Sequence, residues 1–215
     1  MAAYDKALQY ILDDTRRPDL QTSMIRRIQR AVTKFHLMDH YKRDLVEQRY
    51  VFENPSVPAA IQVLDTALLA RFRKFMYVRK WATVDSQGNV ITNPNTGLIG
   101  SATSGDIVEK SPDRMFDGYG GDLDDVMYWS GNRCMIRSST PIYQVFIGYF
   151  TYPLVEPATN MVSWILDEYP GLIAAEVSAK IFKVIGKDQE SASSKQEVGE
   201  ELATLQANSI RLTMS

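Results

Sequence analysis

Few residues in this chain have side chains that do chemistry. There are two histidines, His36 and His40, and one cysteine, Cys134. A serine or cysteine nucleophile ordinarily needs a positioned histidine to take its proton, so every such reading runs through His36 or His40. Four residues apart, the two share a face if the segment is helical. A metal-binding pair uses that spacing with a glutamate after the first histidine. Here Leu37, Met38 and Asp39 intervene, and the pair reads as ordinary residues near a helix end. Gly118-Tyr119-Gly120-Gly121 has no following Lys-Ser or Lys-Thr and no preceding apolar strand. It reads as a flexible turn, not a phosphate cradle. Asp117, Asp122, Asp124 and Asp125 could attract a hard cation, but their spacing is not that of a twelve-residue calcium loop. A solvated acidic loop is the better reading. Arg26, Arg30 and Lys34 form a basic stripe that could touch phosphates, or simply face water as on any solvated helix. Trp81, Trp129 and Trp164 read as core or interface anchors. The expectation is a chain with no enzyme activity, no cofactor and no metal.

The elements that hold these residues fall in the order helices, strands, helices. Tyr4, Leu8, Ile11 and Leu12 lie on one helical face, and that helix should stop near Asp13–Arg17. Pro18 suits the first turn of a second helix, which carries Leu20, Met24, Ile28, Val32 and Phe35 on one stripe. From Val46 the pattern alternates through Gln48, Tyr50 and Phe52. Residues 61–70 fit strand or helix equally. Phe72–Val84 reads as a strand with Phe75, Tyr77 and Trp81 on one face. Asp85–Gly105 is rich in turn formers and reads as a long loop. Val126–Trp129, Ser130-Gly131-Asn132 and Cys134–Ile136 form a hairpin. Ile142–Tyr152 is a strand apolar on both faces. Thr159 or Asn160 can cap a helix through Met161, Trp164 and Ile165. Pro170 restarts it, and Leu172–Ile185 is apolar around much of its circumference, which suits the centre of a bundle. Gly186 ends it. A weaker helix over Ser191–Ser209 and an unpaired tail over Ile210–Ser215 complete the chain.

The expected class is α+β: an α-helical bundle of about four helices drawn from both chain ends, with an inserted antiparallel β subdomain. The helical hairpin occupies residues 1–41, the insertion 42–157 and the closing helices with the tail 158–215. With 215 residues, 45 % hydrophobic and 23 % charged, the chain has globular composition and enough length for a sizeable core. A net charge of −2 excludes coating nucleic acid by bulk charge. One cysteine excludes an internal disulfide framework and a multi-cysteine zinc site, and fits a reducing compartment. The first residues lack the secretory pattern, and no apolar run of about 18 residues appears, so no membrane span is expected.

Three stretches carry a family resemblance. Asp14-Thr15-Arg16-Arg17-Pro18-Asp19-Leu20 and the helix through Phe35 form the first. Tyr128-Trp129-Ser130-Gly131-Asn132, the turn Ser139-Thr140-Pro141 and the strand Ile142 to Pro153 form the second. Ser163-Trp164-Ile165-Leu166-Asp167-Glu168-Tyr169-Pro170-Gly171-Leu172 is the third. In order and spacing the chain resembles the head-to-tail adaptor proteins of tailed bacteriophages. Family members often place a Gly-containing turn and a Leu-Pro pair after the second helix, where this chain reads Glu53-Asn54-Pro55-Ser56-Val57-Pro58, and residues 85–105 look like an enlargement. The resemblance implies a structural virion protein at the head–tail junction, made in the host cytoplasm. It implies a self-assembled ring, typically of twelve copies, docked beneath the portal protein. That ring would extend the DNA channel and present a platform to the next tail protein. A near-neutral chain suits a channel through which DNA slides. Under this resemblance the apolar residues Leu202, Leu205, Ile210, Leu212 and Met214 are expected to dock on the portal or a neighbour. Arg26, Arg30 and Lys34 are expected to face the DNA channel. The alternatives are a tail completion or stopper subunit, and a helical DNA-binding module using the second helix.

Overall fold

A segment with apolar residues on both faces has to be covered on both faces and paired on both edges. Ile142–Thr151 (β7) meets part of that demand as the middle strand of a three-stranded antiparallel sheet, between Leu45–Val51 (β1) and Phe72–Thr83 (β3). The computed structural model describes residues 3–52, 61–83, 107–111, 125–138, 142–157 and 160–213. The expected loop 85–105 and the turn 139–141 lie outside the described residues, as do Gly118–Gly121, Asp117, Asp122, Asp124 and Met214. Trp81 lies outside the described side chains. The class is mixed α+β, with five α-helices and two sheets among the described residues. No helix there is long and apolar enough to cross a membrane.

The chain divides into two units, one of residues 1–44 with 152–215 and the other of residues 45–151. The sequence reading placed these boundaries at 41/42 and 157/158. The residues flanking both positions are bound to the helices. Tyr41 is buried in the helical core, Asp44 is hydrogen-bonded to His36, and Leu154 bridges to Val162.

In the helical unit, Ala3–Thr15 (α1) buries Ala7 and Ile11. Arg16 ends it with φ +52° and an N–H donated to the Leu12 carbonyl, a left-handed cap made without glycine. Pro18–Leu20 is a single 3-10 turn, and Gln21–Met38 (α2) follows, burying Met24, Ile28, Val32 and Phe35. Trp164–Glu168 (α3) begins four to five residues later than the expected caps. Its cap is Ser163, whose Oγ accepts the Leu166 N–H at 3.1 Å, while Met161 lies ahead of the helix. Pro170–Val184 (α4) is buried from Leu172 through Ala179. Gly186, at φ +77°, turns the chain into Asp188–Thr213 (α5). The residues read as an unpaired tail over 210–215 continue the helix through Thr213. Ser191 ties the first turn of α5 to α4 by donating to the Ala179 carbonyl at 2.9 Å.

The β unit contains a second sheet in the order β2-β6-β5-β4: Ile61–Asp65 (β2), Val108–Glu109 (β4), Val126–Ser130 (β5) and Arg133–Arg137 (β6). The expected hairpin is β5–β6, with Gly131 at φ +60° in its turn. The sheet is mixed, because β4 pairs parallel to β5; the expected purely antiparallel insertion is corrected there. Residues 61–70, ambiguous in sequence, are a strand followed by a turn. Asp65 caps that turn by accepting the Ala67 N–H. Leu64, Cys134, Ile136, Val145, Ile147 and Tyr149 make the core of this unit. Lys80 is 5 % exposed within it and is neutralised by Asp125 at 2.7 Å.

The three-stranded sheet also overturns one facing. Phe75 pairs with Tyr149 and Tyr77 with Gly148, so two steps on β3 match one on β7. That bulge sends Phe75 toward the core and Tyr77 to the opposite face. The Tyr77 ring lies on Gly148, where an added Cβ would stand 2.6 Å from its Cε1. Its hydroxyl donates to Glu47 on β1. Burial and that hydrogen bond push the phenol up to about 12.

Gly148→Ala should therefore destabilise the protein by about 1–3 kcal/mol. The urea midpoint should fall; an unchanged midpoint would mean that the ring swings aside freely. Burial, then the charge of Glu109, pushes the Cys134 thiol up to about 12. At pH 8 the native protein should resist a thiolate-selective reagent and react fully in urea. Rapid native labelling would contradict the closed core.

Candidate functional site

His36 occupies a core-facing position of α2, one turn after Val32, and is 2 % exposed. A buried imidazole must have both nitrogens satisfied. Its Nδ1 lies 2.8 Å from Oδ2 and 3.0 Å from Oδ1 of Asp44. Its Nε2 lies 2.9 Å from Ser163 Oγ. The consistent arrangement has Nδ1–H donating to the carboxylate and Nε2 accepting the serine hydroxyl, while the same Oγ accepts the Leu166 N–H. Trp164 Nε1–H donates to Asp44 Oδ1 at 2.9 Å. Trp164 is packed edge-on by Tyr41 and His36, and the Arg43 guanidinium stands 5.2 Å over it. Arg43 also pairs with Glu168.

The connectivity Asp–His–Ser matches that of a hydrolytic triad. The accessibility does not. His36, Asp44 and Ser163 are each at least 94 % buried, so no carbonyl carbon reaches Ser163 Oγ in this arrangement. Its hydroxyl is the N-cap of α3. The network acts as a clasp: it joins the end of α2, the 42–44 turn and the start of α3. His40 takes no part. It stands beyond the end of α2, exposed, with its backbone N–H on Asp39, so the two histidines do not share a helical face. Among the described residues no group of three or more His, Cys, Asp or Glu side chains is disposed to hold a metal.

The basic stripe does come together. Arg26, Arg30 and Lys34 stand one turn apart along the exposed side of α2. With Gln29, Val155 and Glu156 they line an open groove of about 690 Å³. Gln29 Nε2 donates to the Val155 carbonyl at 2.9 Å and fixes the returning chain along the helix. Lys34 also reaches Glu176 on α4 at 2.9 Å, and Lys180 reaches the same oxygen at 2.8 Å. Burial alone would raise the Glu176 carboxyl; the hydrogen bonds and charges of Lys180 and Lys34 outweigh it and hold the group below its ordinary value.

A second surface was not foreseen. Tyr10, Asp13 and Asp14 of α1, Gly171 and Ala174 of α4 and Glu197 of α5 line a cleft of about 190 Å³. Ser178 donates to Asp14 at 3.2 Å. Burial, then the charges of Asp14, Glu201 and Glu200, raises the Glu197 carboxyl above its ordinary value. Three helices contribute to this cleft, and no single segment of sequence contains it.

The expected apolar docking residues separate. Leu205 is 1 % exposed and belongs to the chain's own core, and Leu202 packs against that core. Leu205 is closed to a partner by that burial, and Leu202 is half-buried. Ile210 and Leu212 lie on the last turns of α5 but outside the described side chains. Asp125, read as part of an acidic loop, is instead the counter-ion of Lys80 and accepts the Ser138 hydroxyl at 2.6 Å. No protein-family model matches the chain, and no curated protein matches it.

The sequence reading noticed His36 but missed Asp44, Ser163 and Trp164 as its partners. One signal was present: a histidine on an otherwise apolar helical face requires buried polar partners. Asp44→Ala should cost about 3 kcal/mol, because it strands His36 Nδ1 and Trp164 Nε1 together. Ser163→Ala should cost about 1 kcal/mol, the usual loss of a cap. Urea unfolding followed by far-ultraviolet circular dichroism reads both. Equal costs would remove Asp44 from the centre of the network.

Proposed function

We propose that this chain is a head-to-tail adaptor of a tailed bacteriophage, a non-enzymatic structural protein of the virion. One observation carries the reading. The two outer stretches of the resemblance fall in the helical unit built from both chain ends, and the middle stretch falls in the β unit up to Thr151. Asp14–Leu20 spans the end of α1 and the turn into α2. Ser163–Leu172 spans the cap of α3, the Tyr169-Pro170 break and the start of α4. Tyr128–Asn132 spans the end of β5 and the β5–β6 turn, and β7 is the closing strand.

In this reading α1, α2, α4 and α5 form a four-helix bundle with α4 at its centre. Copies of the bundle stand side by side in a ring of twelve beneath the portal. A ring of this kind uses heterologous contacts, one surface of each copy meeting a different surface of the next. The β unit then serves the next tail protein, and DNA passes through the lumen without sequence readout. Ile210, Leu212 and Met214 remain the docking residues for the portal; Leu202 and Leu205 support them from within the core.

Native mass spectrometry of the protein mixed with the portal protein of the same genome tests this. The expected result is a defined complex with equal copies of each, lost when residues 210–215 are removed. A complex that survives the truncation would keep the adaptor and reject the docking role of the last residues. No complex, with both proteins folded and the portal assembled, would reject the adaptor reading.

A further inference from the structure

The acidic cleft and the carboxylate that holds Lys34 of the basic groove lie on opposite sides of α4. At about 100° per residue, Gly171, Ala174 and Ala175, which line the cleft, cluster on one side of α4. Glu176 and Lys180 project about half a turn away, and Glu176 holds Lys34 of the groove. Three cations and one carboxylate line the groove, whereas every charged group lining the cleft is acidic. We infer that the groove of Arg26, Arg30 and Lys34 receives the Asp13, Asp14 and Glu197 face of a second copy of this chain.

Opposite placement is what a heterologous contact requires. Each copy then presents a cation row to one neighbour and a carboxylate cluster to the other, and the series closes only as a ring or continues as a chain. Self-complementary pairing about a two-fold axis is disfavoured, because it sets like charges together. The cleft gains most from such a neighbour. Three carboxylates share one small cleft; burial, and then the charges of Asp14, Glu201 and Glu200, raise the Glu197 carboxyl, and incoming guanidinium groups offset that repulsion. Arg26 and Arg30 suit this task, since each can grip a carboxylate with two parallel hydrogen bonds. The stripe expected to face the DNA channel is thereby assigned to the contact between copies. The inference rests on the adaptor reading for its ring, but it is measured on the free protein.

The test reverses charge on each surface of the full chain. Arg26→Glu/Arg30→Glu alters the groove, and Asp13→Lys/Glu197→Lys alters the cleft. All four residues are exposed, and thermal unfolding checks that each variant folds. Sedimentation at low salt and up to millimolar protein reads self-association. The wild type should associate, and salt should weaken it. Each variant alone should lose at least about tenfold in affinity, and an equimolar mixture of the two should regain it, because each reversed surface now meets its opposite. A wild type that stays monomeric throughout, or a mixture that fails to regain association, overturns the inference. So does a groove variant that loses only its retention of duplex DNA, which would return the stripe to the channel. Portal binding is read separately: its loss with self-association intact rejects the adaptor reading and leaves this pairing standing.

Discussion

A buried imidazole held between a carboxylate and a serine hydroxyl organises the helical unit. His36, Asp44, Ser163 and Trp164 satisfy one another inside a region nearly closed to water. Removing Ser163 or Asp44 takes away a hydrogen-bond partner of the buried imidazole. The end of α2, the 42–44 turn and the cap of α3 therefore have one mutually consistent arrangement. Asp44 is also the last residue before the chain leaves for the β unit, and Gln29 of the same helix holds Val155 shortly after it returns. Both crossings are thus fastened to α2. A domain inserted between two halves of another needs such fastening, because each crossing otherwise adds conformational freedom to the host core.

The hub of the packing is α4. Its apolar circumference lets α1, α2 and α5 each bury a face against it, so it has little surface left for water. Its two buried polar residues are each partnered. Glu176 joins α2 to α4 through Lys34, and Ser178 reaches Asp14 on α1. A helix buried this way also sets the directions in which its neighbours present charge. The cation row of α2 meets α4 through Glu176, and the carboxylates of α1 and α5 border α4 at Gly171 and Ala174, about half a turn away. That distribution gives the helical unit a directional surface, which the proposed ring would use.

The β unit has its own constraint in β7. This strand contributes Val145, Ile147 and Tyr149 to one face and Gly148 to the other, where the Tyr77 ring needs the space. The bulge in β3 brings that ring over the glycine. Without the extra residue, Tyr77 would share the side of Phe75 and leave its bond to Glu47. The buried Lys80 is likewise paired with a residue distant in the chain, Asp125.

Local pattern alone determined much of this architecture. The helical stripe through Met24, Ile28, Val32 and Phe35, the apolar length of 172–185, the Ser130-Gly131-Asn132 turn and the double-sided strand after Ile142 were legible because periodicity and turn chemistry act over a few residues. The order helices, strands, helices placed the insertion between two helical segments. Tertiary structure decided what depends on residues far apart in the chain. It chose Ser163 over Thr159 or Asn160 as the cap of α3, because Ser163 also answers His36 from 127 residues away. It bulged β3 so that Tyr77 faces away from Phe75, since register belongs to the strand pair and not to one strand. It drew Leu205 into the core and gathered Asp13, Asp14 and Glu197 from α1 and α5 into one cleft. Hydrophobic periodicity reports which face of a segment is buried; only the packed chain reports what that face meets, because burial, hydrogen-bond satisfaction and charge are pairwise quantities.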